Sequence, residues 1–382
     1  MSEVSLNKSG LTVPLSSGNT YFNYCWLRDA CPSCIDDQTR ERTFDVASLP
    51  ELPCARAARL EGDALVIEWQ AEDSKVSHIP LTVLETFNKR GRAEDPACLP
   101  RKLWYSDHVP NITRVPQESA LKDPDARARL TRALIEDGIV IVTDMASDQD
   151  SLPRLVNVIG PITPSAEGQF YDVKVEIAPT NLAFTAGPLE MHTDLPGVEA
   201  APGMQFLHCL ENTVDGGLSL FLDGAAVAEA FREEDPEAFR LLAEYKIPFF
   251  YRHDNRDYRA HQRVIETDPD GRVTGVTISQ HLQDAMDLPQ DLLDSYYPAF
   301  IKFLKLMQHE RFMIKFRAQA GNCVIFDNHR IVHGREGYVA DSGKRHLRGC
   351  YCDRGALRST YRILAKKGHL GVSSDAANQQ SA

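Results

Sequence analysis

Hydrophobic and polar positions alternate with a period of two along much of the first hundred residues, which is typical of short strands joined by turns. Residues 63–70 and 75–81 both show this alternation, and the polar turn between them indicates a hairpin. Residues 99–127 are rich in proline and polar side chains, so a linker is predicted there. The pattern therefore predicts a small β-rich domain over residues 1–105.

A larger domain is predicted over residues 106–372, where helical and strand-like patterns are mixed. Residues 124–137 begin with proline and aspartate and carry apolar side chains at helical spacing, and residues 138–144 form a buried-strand run. Further helices are predicted over 151–160, 224–245 and 291–309, and further strands over 203–210, 218–224 and 347–354. Residues 320–335 are predicted to form a strand, a turn and a second strand. The fold class is therefore mainly β with helices, and a polar, disordered tail is expected over 373–382.

Composition and charge narrow the range of partners. The chain has 382 residues, of which 43% are hydrophobic and 25% are charged, as in globular proteins. No apolar run approaches the roughly 18 residues of a membrane span, so no membrane partner is expected. The net charge is −12 and no stripe of lysine and arginine is present, which argues against nucleic acid. An acidic chain is compatible with a small cationic or zwitterionic substrate, although solubility explains the charge equally well.

The cysteines indicate a reducing compartment. There are nine of them, an odd number, and the first residues have no apolar run that resembles a secretory signal. Free thiols and a cytoplasmic location are therefore expected. A homodimer is one of the arrangements that the sequence leaves open.

The stretch HTD places His192 and Asp194 two positions apart, so that both side chains share one face of an extended backbone. A third ligand from a distant strand would complete the two-histidine, one-carboxylate site of non-haem Fe(II) oxygenases. His333, in the stretch RIVHGR, is the best candidate because it follows an apolar run. His329, four residues earlier, is its nearest rival.

A cosubstrate site is predicted from Arg345, twelve residues after His333. A guanidinium can bind the distal carboxylate of 2-oxoglutarate through two parallel hydrogen bonds, which suits that dicarboxylate better than lysine does. Ser219 follows a pair of glycines and can add a hydroxyl to the same carboxylate. The alternative for Ser219 is an ordinary strand serine that faces solvent.

The order HTD, then GG-x-S, then HGR and then arginine resembles the 2-oxoglutarate-dependent dioxygenases of the taurine dioxygenase type. A closer resemblance is to the γ-butyrobetaine dioxygenase and trimethyllysine dioxygenase subfamily. The stretches NLAFTAGPLEMHTDLP, PGMQFLHC, DNHRIVHGR and RHLRGCY resemble its catalytic domain, and CWLRDACPSC resembles its small zinc-bearing domain. The resemblance covers nearly the whole chain.

The resemblance implies a double-stranded β-helix, or jelly roll, as the catalytic domain. Iron would be held by His192, Asp194 and His333, and 2-oxoglutarate by Arg345. The reaction would be hydroxylation of an unactivated carbon with O2 as the second cosubstrate and ascorbate as a candidate reductant. A binding protein that has lost its iron is the non-enzymatic alternative, and the complete set of these residues argues against it.

The resemblance also implies a substrate pocket in which aromatic rings surround a trimethylammonium group. Tyr171, Phe184 and Tyr351 fall at cage positions, and Asn181 matches an asparagine that binds the acid group of the substrate. Without the resemblance, ordinary core aromatics would be the better interpretation of the three rings.

Two departures from the subfamily affect the same pocket. Glu167 stands where a further cage tyrosine is expected, and Ser279 and Gln280 stand where two asparagines are expected. Gln280 is kept as a candidate substrate-binding residue. The departures make trimethyllysine or a trimethylammonio-alkylphosphonate alternatives to γ-butyrobetaine, with Arg348 or the basic stretch 252–263 as donors to a phosphonate. A more distant alternative is the same scaffold acting on a sulfonate or an amino acid.

A structural zinc site is predicted near the N-terminus from Cys31, Cys34 and His78. Two thiolates from a tight turn and a histidine from the next hairpin match three positions of a tetrahedral zinc site. The subfamily pattern has three cysteines and one histidine, so Cys25 or Cys54 would have to supply the fourth ligand. The alternatives are an empty site or a pair of buried free thiols.

Overall fold

A computed structural model shows two compact units, Met1–Asp95 and Pro96–Ala382. The residues that the structure describes are 3–70, 75–88, 95–175, 182–253 and 255–372. Within these ranges no helix is both long enough and apolar enough to cross a bilayer. The polar tail over 373–382, predicted to be disordered, lies outside the described residues.

The described residues of the first unit include two small antiparallel sheets and two short α-helices. Its strands are β1 (Ser5–Leu6), β2 (Gly10–Leu15), β3 (Gly18–Asn23), β4 (Ala55–Glu61), β5 (Ala64–Trp69) and β6 (Val76–Pro80), and its helices are α1 (Tyr24–Asp29) and α2 (Leu81–Phe87). The sheets have the orders β1-β2-β3 and β4-β5-β6. The pairing of β5 with β6 confirms the predicted hairpin. Alternation along β5 turns Leu65, Ile67 and Trp69 into the core of this unit.

The second unit holds the remaining strands and helices. Its strands are β7 (Arg114–Pro116), β8 (Ile139–Thr143), β9 (Ile162–Thr163), β10 (Tyr171–Val173), β11 (Leu189–His192), β12 (Met204–Asn212), β13 (Ser219–Asp223), β14 (Lys246–His253), β15 (Arg256–Arg263), β16 (Ile265–Thr267), β17 (Val273–Val276), β18 (Met313–Phe316), β19 (Cys323–Asp327), β20 (Ile331–Arg335) and β21 (Arg345–Cys352). Its helices are α3 (Gln117–Lys122), α4 (Pro124–Glu136), α5 (Ser151–Asn157), α6 (Gly224–Glu234), α7 (Pro236–Glu244), α8 (Gln290–Met307) and α9 (Arg354–Lys366).

Two sheets of the second unit position the functional residues. A seven-stranded sheet has the order β10-β21-β12-β19-β8-β7, with β9 also paired to β21, and a four-stranded sheet has the order β11-β20-β13-β18. The chain alternates between these two sheets from β10 to β13, and again from β18 to β21. Strands that are distant in sequence therefore become neighbours, and β11 pairs directly with β20.

Helices and hairpins pack on these sheets. One apolar cluster joins α6, α7 and α8 to the hairpin strands β16 and β17, and another joins α4, α5 and α9 to the seven-stranded sheet. The long helix predicted over 224–245 is two helices, α6 and α7. The chain bends at Asp235, whose carboxylate accepts a hydrogen bond from the backbone of Ala238. Pro236 follows at the first helical position, where its missing N–H costs nothing.

The linker predicted over residues 99–127 is wrong, because this segment is folded into the second unit. Trp104 is buried and its indole N–H donates to the carbonyl of Asp137 at 2.8 Å. Ile112 and Val115 are buried as well, and α3 follows them. The sequence did not reveal these buried apolar residues, because they are widely spaced in a proline-rich segment and follow no regular period.

Candidate active site

Three predicted metal ligands meet where the end of β11 faces β20. His192 and His333 lie directly opposite each other in the antiparallel pair, and Asp194 follows two residues after β11 ends. The Asp194 Oδ1 atom lies 3.2 Å from Nε2 of His192 and 3.6 Å from Nε2 of His333. Among the described residues, this is the one group of three or more potential metal ligands that converges within 4.8 Å.

Local backbone features bring these side chains together. A Cβ atom on Gly334 would lie 2.7 Å from the carbonyl oxygen of Leu189, so only glycine allows β20 to approach β11 this closely. Thr193 is fixed by hydrogen bonds from its backbone N–H and its hydroxyl to the carbonyl of Ile278. Leu195 has a positive φ of 52°, which turns the chain immediately after Asp194.

The local surroundings prepare both histidines to bind a metal, and for His192 they fix the ligand atom as Nε2. The Nδ1 atom of His192 lies 2.8 Å from the carbonyl of Glu190, so Nδ1 carries the proton and the lone pair is on Nε2. Burial, with the neighbouring His192, lowers the pKa of His333 to about 3. The His333 imidazole is therefore neutral near pH 7, as metal ligation requires.

Asp194 is held so that one carboxylate oxygen remains directed at the histidines. Its Oδ2 accepts hydrogen bonds from Tyr351 Oη at 2.7 Å and from Gln205 Nε2 at 2.6 Å. Asn328 bonds both the backbone N–H and the backbone carbonyl of Asp194. Burial by itself would raise the pKa of Asp194, but the adjacent His333 and His192 and these hydrogen bonds outweigh burial and lower it. The three side chains therefore fit a divalent metal with Oδ1 as the carboxylate ligand.

We predict that Tyr351→Phe weakens metal binding by about 10-fold to 100-fold, because it removes a hydrogen bond that orients a ligating carboxylate. The aromatic ring is retained, so shape and apolar contacts stay the same. Titration of Fe(II) under anaerobic conditions measures the change. Tyr296→Phe is the matched control, because the Tyr296 hydroxyl is buried without a hydrogen-bond partner among the described residues. Unaltered metal affinity in Tyr351→Phe would contradict the role assigned to this hydrogen bond.

A pocket adjoins the metal cluster and collects most of the other predicted site residues. Tyr171, Phe184, Ser219, Arg345 and Tyr351 all line it. Ser219 is buried, so the alternative of a solvent-facing serine is wrong. The rings of Tyr171 and Tyr351 lie 5.4 Å apart, and Gln205 donates to the Tyr171 hydroxyl at 2.9 Å.

Arg345 is a buried cation with unused hydrogen-bonding capacity. Its Nε and Nη1 atoms have no partner among the described residues, and leaving such groups unpaired is costly unless a ligand binds them. Burial and the nearby Arg335 lower the pKa of Arg345 to about 10, so it stays charged near pH 7. These properties fit a guanidinium that receives a carboxylate.

Arg335 is a pocket residue that the sequence did not reveal as important. It lies on β20, two residues after His333, and its guanidinium donates to the carbonyls of Thr185 and Gly187, both at 2.7 Å. These bonds use its Nη2 atom to hold the segment before β11. The HGR stretch already contained this signal, since an arginine beside a strand end can bind several backbone carbonyls.

The substrate-binding role of Gln280 stays a prediction, and its side chain is not among those that line the pocket. Gln280 is exposed in a 3-10 turn, whereas the next two residues, His281 and Leu282, line the pocket. The His281 ring lies 5.1 Å from the His192 ring. A one-residue step along a 3-10 turn rotates the side-chain direction by about 120°, so Gln280 is exposed while His281 faces the pocket. Asn181, the other predicted acid-group ligand, lies outside the described residues.

Two further candidates point away from the metal cluster. His329 Nε2 lies 3.0 Å from the carbonyl of Ala201, and His329 is outside the metal cluster. This supports His333 over His329 as the third metal ligand. Arg348 is absent from the lining of the pocket, and its guanidinium stacks 4.8 Å from the ring centre of Phe170. Neighbouring residues on β21 point to opposite faces of the sheet, which separates Arg348 from the pocket.

The predicted zinc ligand set is not assembled. Cys31 and Cys34 are buried at the turn that follows α1, but His78 lies on the exposed side of β6, because alternation turns Ser77 and Ile79 inward. Arg28 Nη1 donates to Cys34 Sγ at 3.0 Å, and a cation in that position disfavours a bound divalent metal. In the described part of the chain, no cluster of three metal ligands includes these residues.

Two histidines and one carboxylate beside a pocket with a buried arginine define a non-haem, metal-dependent oxygenase. The chain belongs to the family described as taurine catabolism dioxygenase TauD, TfdA family, whose sequence pattern matches residues 109–351. The chain is thus a dioxygenase, and its His-Asp-His site supports Fe(II) and 2-oxoglutarate as cofactor and cosubstrate.

Curated relatives confirm the resemblance to the γ-butyrobetaine and trimethyllysine dioxygenase subfamily. The chain is 32% identical to γ-butyrobetaine dioxygenase of Pseudomonas sp. (strain AK-1), covering 94% of each chain. It is 28% identical to the Homo sapiens enzyme of that name, covering 90% of each chain. It is 26% identical to the mitochondrial trimethyllysine dioxygenase of Homo sapiens, covering 90% of this chain and 82% of the relative.

Proposed function

We propose that this protein is an Fe(II)- and 2-oxoglutarate-dependent hydroxylase of a small quaternary-amine acid such as γ-butyrobetaine. The observation that carries the proposal is the aromatic wall beside the metal cluster, formed by Tyr171, Phe184 and Tyr351. A trimethylammonium group has no N–H donor, so aromatic faces and negative charge are what can recognise it. The names of the relatives support the same substrate class.

We further propose that the two sheets form a double-stranded β-helix and that the second unit, which contains the domain predicted over residues 106–372, is the catalytic domain. The alternation of the chain between the sheets supports this topology, because it is what a jelly roll requires. All nine cysteines are free thiols, which supports the proposed cytoplasmic location.

Each group of side chains has one task in the proposed reaction. Iron and 2-oxoglutarate, when bound, supply the oxidative chemistry that converts a C–H bond to an alcohol with O2. His192, Asp194 and His333 hold the iron, and Arg345 with Ser219 holds the distal carboxylate of the cosubstrate. The aromatic wall positions the substrate so that its target carbon faces the metal, and apolar groups exclude water from the pocket.

Succinate release across a panel of compounds tests the substrate class. We expect turnover with γ-butyrobetaine and weaker or no turnover with a sulfonate or a free amino acid. Trimethyllysine and a trimethylammonio-alkylphosphonate belong in the same panel, because both share the cationic head group. Succinate formation coupled to a sulfonate alone, with no quaternary amine turned over, would refute the proposal.

We predict that Arg345→Ala raises the KM for 2-oxoglutarate by about 30-fold or more, since truncating one partner of a buried charged pair costs at least about 2 kcal/mol. Fe(II) affinity should change little, because Arg345 is not among the clustered ligands. Steady-state kinetics with varied 2-oxoglutarate measure the effect. Arg348→Ala is the matched control on the opposite face of β21, and its KM for 2-oxoglutarate should stay near that of the unmodified protein. Equal KM values in the two variants would disprove the assignment of Arg345.

A further inference from the structure

A carboxylate sits on the aromatic wall of the pocket, at the place where the resemblance leads one to expect a tyrosine. Glu167 lines the pocket together with Tyr171 and Tyr351. Its chain neighbour Ala166 packs against the apolar cluster formed by Leu195, Tyr251 and Tyr351. The carboxylate therefore belongs to the same side of the pocket as the rings proposed to surround the substrate cation.

The carboxylate of Glu167 is held in place. The Tyr251 hydroxyl donates a hydrogen bond to its Oε1 atom. Burial and the adjacent Glu167 raise the pKa of Tyr251 well above its usual range, so the phenol remains a neutral donor. The backbone N–H of Glu167 donates to Ser165 Oγ at 3.1 Å, and Arg256 donates to the carbonyl of Ala166. These hydrogen bonds hold the turn that carries Glu167 and so fix the position of its carboxylate.

The two ends of the pocket carry opposite charge. Arg345, Leu347 and Tyr351 are pocket-lining positions of β21, and the six residue steps from Arg345 to Tyr351 span about 20 Å of strand. Glu167 belongs to the Tyr351 end through Ala166, whereas Arg345 and Arg335 lie at the other end. A ligand at the Glu167 end therefore meets aromatic faces and a carboxylate, and both kinds of group attract a quaternary ammonium.

We propose that Glu167 is the specificity-determining residue for the cationic head group, and that Tyr251 is the positioning residue that holds its carboxylate toward the pocket. This inference rests on the proposed function, because it names the residue that selects a permanent cation over a neutral group of equal shape. Aromatic rings also bind a neutral branched alkyl group through apolar contact. A carboxylate stabilises only the ligand that carries a positive charge.

The test compares γ-butyrobetaine with its isostere in which a tert-butyl group replaces the trimethylammonium group. Glu167→Gln keeps the size and an acceptor oxygen but removes the charge. We expect it to raise the KM for γ-butyrobetaine about tenfold or more, with a small change in kcat and no rise in the KM for the isostere. Tyr251→Phe should raise the KM for the cation severalfold and also spare the isostere. Anaerobic Fe(II) and 2-oxoglutarate binding should be unchanged in both variants, which shows that the metal site is intact.

Glu199→Gln is the matched control, because it removes the same charge from an exposed position on the loop that follows Asp194. It should leave the discrimination between cation and isostere as in the unmodified protein. The inference is overturned if Glu167→Gln raises the KM for both compounds equally, or if its preference for the cation is unaltered. In either case the proposed function stands. Failure of the unmodified protein to hydroxylate any quaternary amine overturns the proposed function and this inference together.

Discussion

We expect His333→Ala and His192→Ala each to abolish 2-oxoglutarate-dependent succinate formation while the protein remains folded. Each substitution removes one of three converging ligands and leaves the metal held by two. Loss of residues that only orient metal ligands already costs about 10-fold to 100-fold in affinity or activity, so loss of a ligand itself should exceed about 100-fold. Succinate assays with saturating Fe(II) and circular dichroism spectra together measure activity and fold.

His329→Ala is the matched control for these variants. It removes an imidazole four residues from His333 that is bonded to the carbonyl of Ala201 and lies outside the cluster. We expect succinate formation within a fewfold of the unmodified protein. An inactive His329→Ala combined with an active His333→Ala would mean that the third ligand is wrongly assigned.

The metal cluster could be predicted from the sequence because its signals are local. His192 and Asp194 share a face through their spacing of two, and His333 ends an apolar run that forms a fully buried strand. Arg345 was predicted from its position after His333, the three aromatic residues followed from the resemblance, and all of them line the pocket. These predictions rested on the order of short motifs along the chain.

Residues whose place depends on tertiary contacts could not be predicted in this way. Gln205 and Asn328 support Asp194 through strand register and a turn, neither of which leaves a local pattern. His281, which lines the pocket, was not predicted, because the direction of a side chain on a 3-10 turn is not visible in the sequence. His78 failed as a zinc ligand for a similar reason, since the register of β6 decides which of two adjacent side chains points inward.

Arg330 also escaped prediction, although it lies between two histidines that the sequence singled out. Its side chain is buried, and its guanidinium binds both carboxylate oxygens of Asp223, at 3.0 and 2.7 Å. It also donates to the carbonyls of Glu136 and Lys102, at 2.7 and 2.6 Å. Asp223 in turn accepts hydrogen bonds from the backbone of Ala225 and Trp104. This pair joins the end of β13 to the turn before β20, the strand that carries His333.

Arg330→Leu should lower the free energy of unfolding by about 3–5 kcal/mol, because it leaves the carboxylate of Asp223 buried and unpaired. Denaturant unfolding followed by fluorescence measures this change. Arg348→Leu is the control, because it removes a partly buried arginine without leaving a buried carboxylate unpaired. Adding Asp223→Asn to Arg330→Leu removes the uncompensated charge while keeping an acceptor for the Ala225 N–H. The double variant should therefore be more stable than Arg330→Leu alone. If the second substitution makes the protein still less stable, buried charge is not the cause, and the hydrogen bonds from Arg330 to Glu136 and Lys102 would have to account for the loss.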